Sequence, residues 1–212
     1  MRRSLSNRDV LAAKFEVADF EGEWLRSLGR PELRGSWIIW GGSGSGKTTF
    51  TLMLCKYLTG FTRVAYNSLE QGLSLSLQIA WKRVGMEEAG SRIMLLRKEP
   101  LGELRKRLRK HKSPKVIVID SVQYLVGFRL ADYVQLLREF PSKLFIWIAH
   151  EDQGHPDGKL AKQIRYDADI KMHIEGFKAQ VVTRYERAEY SEGGKDFVIW
   201  EEGAKAYWID KF

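Results

Sequence analysis

The sequence predicts an α/β fold in which a mainly parallel central sheet is flanked by helices and finishes in C-terminal antiparallel hairpins. Three observations lead there. From residue 35 to residue 169, short apolar runs alternate with longer stretches of helical period, the pattern of strand–helix–strand units. Two of the runs, in KVIVIDS (115–121) and KLFIWIAH (143–150), are apolar at successive positions, so both faces of those strands need cover. After residue 169 the helical period stops, and IKMHIEG, KAQVVTRY, DFVIWEEG and KAYWID read as four short strands with glycine turns.

The elements follow in order. Residues 1–34 read as a helical and irregular N-terminal segment ending in GRPELRG, where proline and glycine mark a turn. SWIIW (36–40) is a strand and KTTFTLMLCKYLTG (47–60) a helix closed by Gly60. RVAYNS (63–68) and LSLSLQIAWKRVG (73–85) form the next strand and helix, and RIMLLR (92–97) a short strand before a basic helix. KVIVIDS, the helix ADYVQLLREF (131–140) and the strand of KLFIWIAH complete the alternation. No internal repeat or second domain is visible, so residues 35–212 make one core.

Composition narrows the function classes. With 212 residues, 44% hydrophobic and 12% aromatic, the chain can bury a core, and disorder is excluded. MRRSLSNRDV has no apolar stretch behind it, and the longest apolar run, LFIWIA (144–149), is too short to span a bilayer. A cytoplasmic protein with no membrane partner is expected. The single cysteine, Cys55, lies in the apolar helical stretch TLMLCKYL and reads as a small core residue in a reducing compartment. Of the net charge of +8, a net +7 lies between Arg97 and Lys115, where nine Lys and Arg face Glu99 and Glu103. Such a stripe fits a nucleic-acid surface. It equally fits a solvated helix face, because Leu101, Leu104 and Leu108 recur at helical spacing on the other side.

The chemistry begins in WIIWGGSGSGKTTF (37–50), which matches G-x-x-x-x-G-K-[ST] with Gly41, Gly46, Lys47 and Thr48, between a strand and a helix. Glycines let successive backbone N–H groups turn inward on phosphate oxygens, and the helix that follows adds its positive end. Gly41, Gly42, Ser43, Gly44, Ser45, Gly46, Lys47, Thr48 and Thr49 are the candidate nucleotide-binding residues. Lys47 suits the terminal phosphates of ATP and the Thr48 hydroxyl suits Mg²⁺. Asp120, at the carboxyl end of VIVID, is the second candidate Mg²⁺ group. Ser121 stands where many related sites carry a glutamate, so the water-orienting base must come from elsewhere. Glu70 in NSLEQG leaves the sheet at the same carboxyl edge and is the candidate, against a plain helix-start glutamate.

At these residues the chain resembles the RecA-like ATPases: RecA, its RadA relatives and the DnaB-type replicative helicases. NSLEQG is similar to the segment presenting the catalytic glutamate, VIVIDSVQYL to the magnesium strand, and IRYDADIKMHIEG to the return into the sheet after a DNA-facing loop. The resemblance spans roughly residues 35–185 and implies a bare RecA-like core of the minimal phage or mobile-element type. It implies that His150, where the family often has Gln, senses the γ-phosphate. It implies that the flexible loop 151–165 brings Lys159, Lys162 and Arg165 to single-stranded DNA. Arg184 in VVTRYER falls at the position of an arginine acting on the neighbouring subunit's ATP, although Val182 replaces the usual lysine. FEVA (15–18) resembles the family's Phe-x-x-Ala tether between protomers. The implied function is Mg²⁺-ATP hydrolysis coupled to DNA in recombination or repair, in a self-associated ring or filament. A minimal replicative helicase is the alternative, and a nucleotide-dependent switch or kinase without nucleic acid a further one.

Overall fold

The computed structural model describes residues 4–209 and 211. Strands β1 (Gly35–Gly41), β2 (Val64–Ser68), β3 (Ile93–Arg97), β4 (Val116–Asp120) and β5 (Leu144–Ala149) run parallel. A small antiparallel pair, β6 (Glu151–Asp152) and β7 (His155–Pro156), stands outside the main sheet. β8 (Ile170–Glu175) joins parallel to β1, and β9 (Lys178–Thr183) and β10 (Phe197–Val198) add antiparallel edges. The order across the eight-stranded sheet is β10-β9-β8-β1-β5-β4-β2-β3.

Side-chain alternation along the strands splits the core into two layers. Trp37 and Ile39 of β1 face α2 (Gly22–Leu28), α3 (Lys47–Leu58) and α4 (Leu75–Arg83), with Leu28, Phe50, Leu54 and Leu77 buried against them. Ile38 and Trp40 face α5 (Leu101–Leu108), α6 (Leu130–Glu139) and α7 (Lys159–Asp167), through Leu104, Leu108, Tyr133, Leu136 and Ile164. Cys55 lies fully buried in the first layer, where burial pushes its thiol pKa up. Ala18, Phe20 and Leu33 belong to the same layer, whereas Leu5, Val10, Leu11 and Phe15, around α1 (Asn7–Leu11), are exposed.

Three expectations are corrected. KAYWID is not a strand, and of DFVIWEEG only Phe197–Val198 is; the rest enters α8 (Glu201–Ile209). Glu201 and Glu202 occupy its first turn, where the helix dipole favours carboxylates. Gly203 lets that turn lie against Trp200, whose ring a side chain there would strike. Segment 151–165 is not a flexible loop but the β6–β7 hairpin followed by α7. The basic helix α5 spends its charge on ion pairs: Arg107 meets Glu99 at 2.6 Å, Lys106 meets Glu103 at 2.8 Å, and Arg105 and Arg109 reach Glu139 on α6 at 3.5 and 2.6 Å. That favours the solvated-face reading of the stripe. Among the described residues no helix is long and apolar enough to cross a membrane.

Candidate nucleotide-binding site

β1 is buried to its last residue and hands over to a loop that only glycine can build at its ends. A side chain on Gly41 would collide with the Ile174 carbonyl and lie 2.9 Å from Ser45 Oγ. Gly44 and Gly46 take φ of +75° and +97°, the left-handed region that glycine occupies freely. Gly42 and Gly44 have open space where a Cβ would stand, so the backbone itself faces the cleft. The cleft has a volume of about 580 Å³. Of the predicted nucleotide-binding residues, Gly41, Gly42, Ser43, Gly44, Gly46, Lys47, Thr48 and Thr49 line it, and Ser45, with its hydroxyl buried, does not.

Lys47 opens α3, and its ammonium folds back to donate to the Gly41 carbonyl oxygen at 2.8 Å. Burial holds its pKa below the usual lysine range, against the opposing charges of Asp120, Glu70 and Glu151. Asp120 ends β4, in register with Ser68 of β2. Its carboxylate accepts a hydrogen bond from the Tyr66 hydroxyl at 2.6 Å, a charge-assisted contact. Burial raises the Asp120 pKa; the Tyr66 bond opposes the rise and the nearby Glu70 charge adds to it. Tyr66 stays protonated, because burial and then the Asp120 charge push its pKa well up.

Glu70 sits just past β2, held to the end of β4 by its own N–H donating to the Asp120 carbonyl at 3.0 Å. Its Oε2 lies 2.9 Å from His150 Nε2, and Ser121 Oγ is 3.5 Å from each of them. The predicted base and the predicted phosphate sensor are therefore hydrogen bonded to each other. The structure brings Lys47, Thr48, Glu70, Asp120 and His150 onto one cleft, from the ends of four strands.

Other predicted residues lie elsewhere. Arg184 follows Thr183, which pairs with Ile170 at the start of β8, so it stands at the opposite rim of the sheet; its guanidinium pairs with Asp169 at 2.9 Å. Lys159 and Lys162 are exposed on α7. Arg165 is half-buried, its guanidinium 5.1 Å over the Trp40 ring and 3.5 Å from His155 Nδ1. It is a packing residue in this arrangement, not a free contact for DNA.

The cleft also holds Gln71, Arg83, Glu151 and Phe177, which the sequence reading left out of the site. Glu151 Oε2 lies 2.8 Å from His173 Nε2, and the His173 ring stacks on Trp40 at 5.2 Å and 15°. For Glu151 the signal was its place beside His150 at a strand end. Arg83 and Phe177 reach the cleft only through tertiary packing.

No protein-family model matches the chain, and no curated protein matches it in sequence. Solved structures do. The flagellar accessory protein FlaH from Methanocaldococcus jannaschii is similar at TM-score 0.60 and 17% identity, over 86% of this chain and 93% of that one. The ATPase domain of a DnaB-type helicase is similar at TM-score 0.57 and 16% identity, over 82% and 84% of the two chains. Sheet order, glycine loop and these likenesses together define the class: the fold is a RecA-like P-loop ATPase core.

Proposed function

We propose that this protein binds and hydrolyses Mg²⁺-ATP and couples hydrolysis to single-stranded DNA, in recombination or repair, as a self-associated ring or filament. The observation that carries the reading is the meeting of Lys47, Thr48, Glu70 and Asp120 on one cleft, from separate parts of the chain. The donor set suits Mg²⁺ only together with a nucleotide. Among the described residues no three His, Cys, Asp or Glu gather to hold a metal alone. One hydroxyl and one carboxylate beside phosphate oxygens is how this hard cation is commonly held. When bound, the cation neutralises charge on the terminal phosphates.

The chain's own residues supply the rest. The loop N–H groups and Lys47 bind and orient the triphosphate, and Lys47 exchanges the Gly41 carbonyl for phosphate oxygen. Glu70 holds the attacking water by accepting its proton, and His150 keeps that carboxylate in place until the γ-phosphate competes for the imidazole. Arg184, on the opposite rim, serves a nucleotide held by another copy of the chain. Exposed Phe15 is the tether to that copy, and Lys159 and Lys162 meet DNA phosphates.

The test is Mg²⁺-ATP turnover with and without single-stranded DNA, at two salt concentrations, for the wild type, Lys47→Ala and Glu70→Gln. Turnover stimulated by DNA is expected, lost in both variants, with nucleotide still bound by Glu70→Gln. A DNA-independent rate removes the DNA role and leaves the ATPase; unchanged turnover in Glu70→Gln removes its assignment as base.

A further inference from the structure

The triphosphate cleft does not end at the phosphate loop. Thr49, Arg83 and Phe177 line it and also line an adjoining chamber of about 510 Å³, closed by Met53, Val84, Ile199 and Trp200. We propose that this chamber takes the nucleobase and reads it by its flat faces and not by its hydrogen-bonding edge, so that adenine and guanine nucleotides are both accepted. The assignment rests on the P-loop reading of the neighbouring cleft.

The chamber's chemistry is that of a slot for a planar heterocycle. Met53, Val84 and Ile199 offer apolar surface, Phe177 and Trp200 offer aromatic rings, and Arg83 brings a planar cation. Guanidinium groups and aromatic rings stack on bases of any sequence. No carboxylate or carboxamide side chain lines the chamber, and those are the groups that would tell an exocyclic amine from a carbonyl oxygen. The Val84 carbonyl is already taken, accepting from Lys56 Nζ at 3.1 Å.

An independent observation comes from the backbone. Phe177 has φ of +58°, directly after Gly176 at +50°, in the tight turn joining β8 to β9. A bulky residue is disfavoured there, and such strain persists only where the surroundings hold it. Here they do: the Phe177 N–H donates to the Ser45 carbonyl at 3.3 Å, and its own carbonyl accepts from Ile199 N–H at 2.9 Å. The result is a ring over the start of α3, 3.3 Å from where a Gly46 Cβ would be, and edge-on to Trp200 at 5.0 Å and 80°. Trp200 itself is 52% exposed, so one partner of this aromatic pair is left open at the chamber.

The experiment compares equilibrium binding of ATP, GTP, UTP and inorganic tripolyphosphate, each with Mg²⁺, to the wild type and to Trp200→Ala, Trp200→Phe and Arg83→Gln, with thermal melts confirming folding. ATP and GTP are expected to bind within about tenfold of each other and more tightly than UTP, since purines stack over more area. Trp200→Ala is expected to weaken ATP and GTP by about tenfold or more, Arg83→Gln to weaken both in the same direction, and Trp200→Phe to restore most of the loss. Tripolyphosphate should bind all four proteins alike. If Trp200→Ala and Arg83→Gln bind ATP as the wild type does, or if GTP is rejected outright, face reading in this chamber is wrong while the P-loop reading stands. Failure of the wild type to bind either ATP or tripolyphosphate sinks the parent reading and this one with it.

Discussion

Replacing Tyr66 by phenylalanine removes one oxygen from the floor of the site and leaves the ring packing intact. Tyr66 and Asp120 are 1% and 8% exposed, and the bond between them is 2.6 Å long, so water cannot take the hydroxyl's place. A hydrogen bond to a charged group contributes about 1.5–3 kcal/mol. For a domain of this size each kcal/mol moves the melting temperature by about 2–4 °C, so the variant should melt about 3–12 °C lower. The pH dependence has a definite sign. Donation by Tyr66 favours the charged carboxylate and lowers the Asp120 pKa against burial. The stability this bond contributes is therefore present above the Asp120 pKa and fades as pH falls through it.

The assay is thermal unfolding in chelator across a descending pH series, for the wild type, Tyr66→Phe, Asp120→Asn and the double variant. In the Asp120→Asn background the same Tyr66 change should cost only a neutral bond, about 0.5–1.5 kcal/mol. A second readout is the Mg²⁺ concentration for half-maximal turnover. Partners that orient a metal-binding group typically matter by about 10–100-fold, so a rise of that order is expected. A Tyr66→Phe protein that melts with the wild type, or whose deficit persists unchanged into acid, would refute the coupling of Tyr66 to a charged Asp120.

Two further substitutions test the cost of building the cleft. Asp120→Asn should abolish turnover yet stabilise the metal-free fold by about 0.5–2 kcal/mol, the usual yield of relaxing a strained functional site. The raised Asp120 pKa means that its ionised form weighs against folding as pH rises, so the gain should be largest at neutral pH and vanish in acid; calorimetric melts at two pH values measure it. Gly41→Ala puts a methyl group against the Ile174 carbonyl and 2.9 Å from Ser45 Oγ, and backbone cannot swing aside. It should cost about 1–3 kcal/mol and weaken tripolyphosphate binding, read by denaturant titration and by calorimetry.

What could be read from the sequence was whatever the sequence writes contiguously. GGSGSGKTT is nine adjacent residues, and its geometry follows from local backbone freedom, so the loop was legible before any fold. The strands were legible for a related reason: runs such as VIVID and LFIWIA need two-sided cover wherever they lie. KAYWID was not, because six residues with apolar positions near one another satisfy both periods. What decided for a helix was remote, namely Trp200 under Gly203 and the Tyr207 hydroxyl donating to Glu175 at 3.0 Å. Segment 151–165 failed for the same reason. Its glycines and lysines describe a loop, and only the pinning of Trp40 Nε1 to the Gly154 carbonyl at 3.1 Å, with Arg165 over the same indole, makes it ordered.

The site divides along the same line. Lys47, Thr48, Glu70 and Asp120 could be named because each follows or ends a strand at the same sheet edge, which one-dimensional order predicts. The pairing of Glu70 with His150, across a separation of 80 residues, could not. Both were named singly, as base and as sensor, yet their contact joins the two roles. A phosphate oxygen that draws off the imidazole must at the same moment release the carboxylate. Recognition of the γ-phosphate and activation of the base are then one event, and β5 next to β4, not any motif, makes it so.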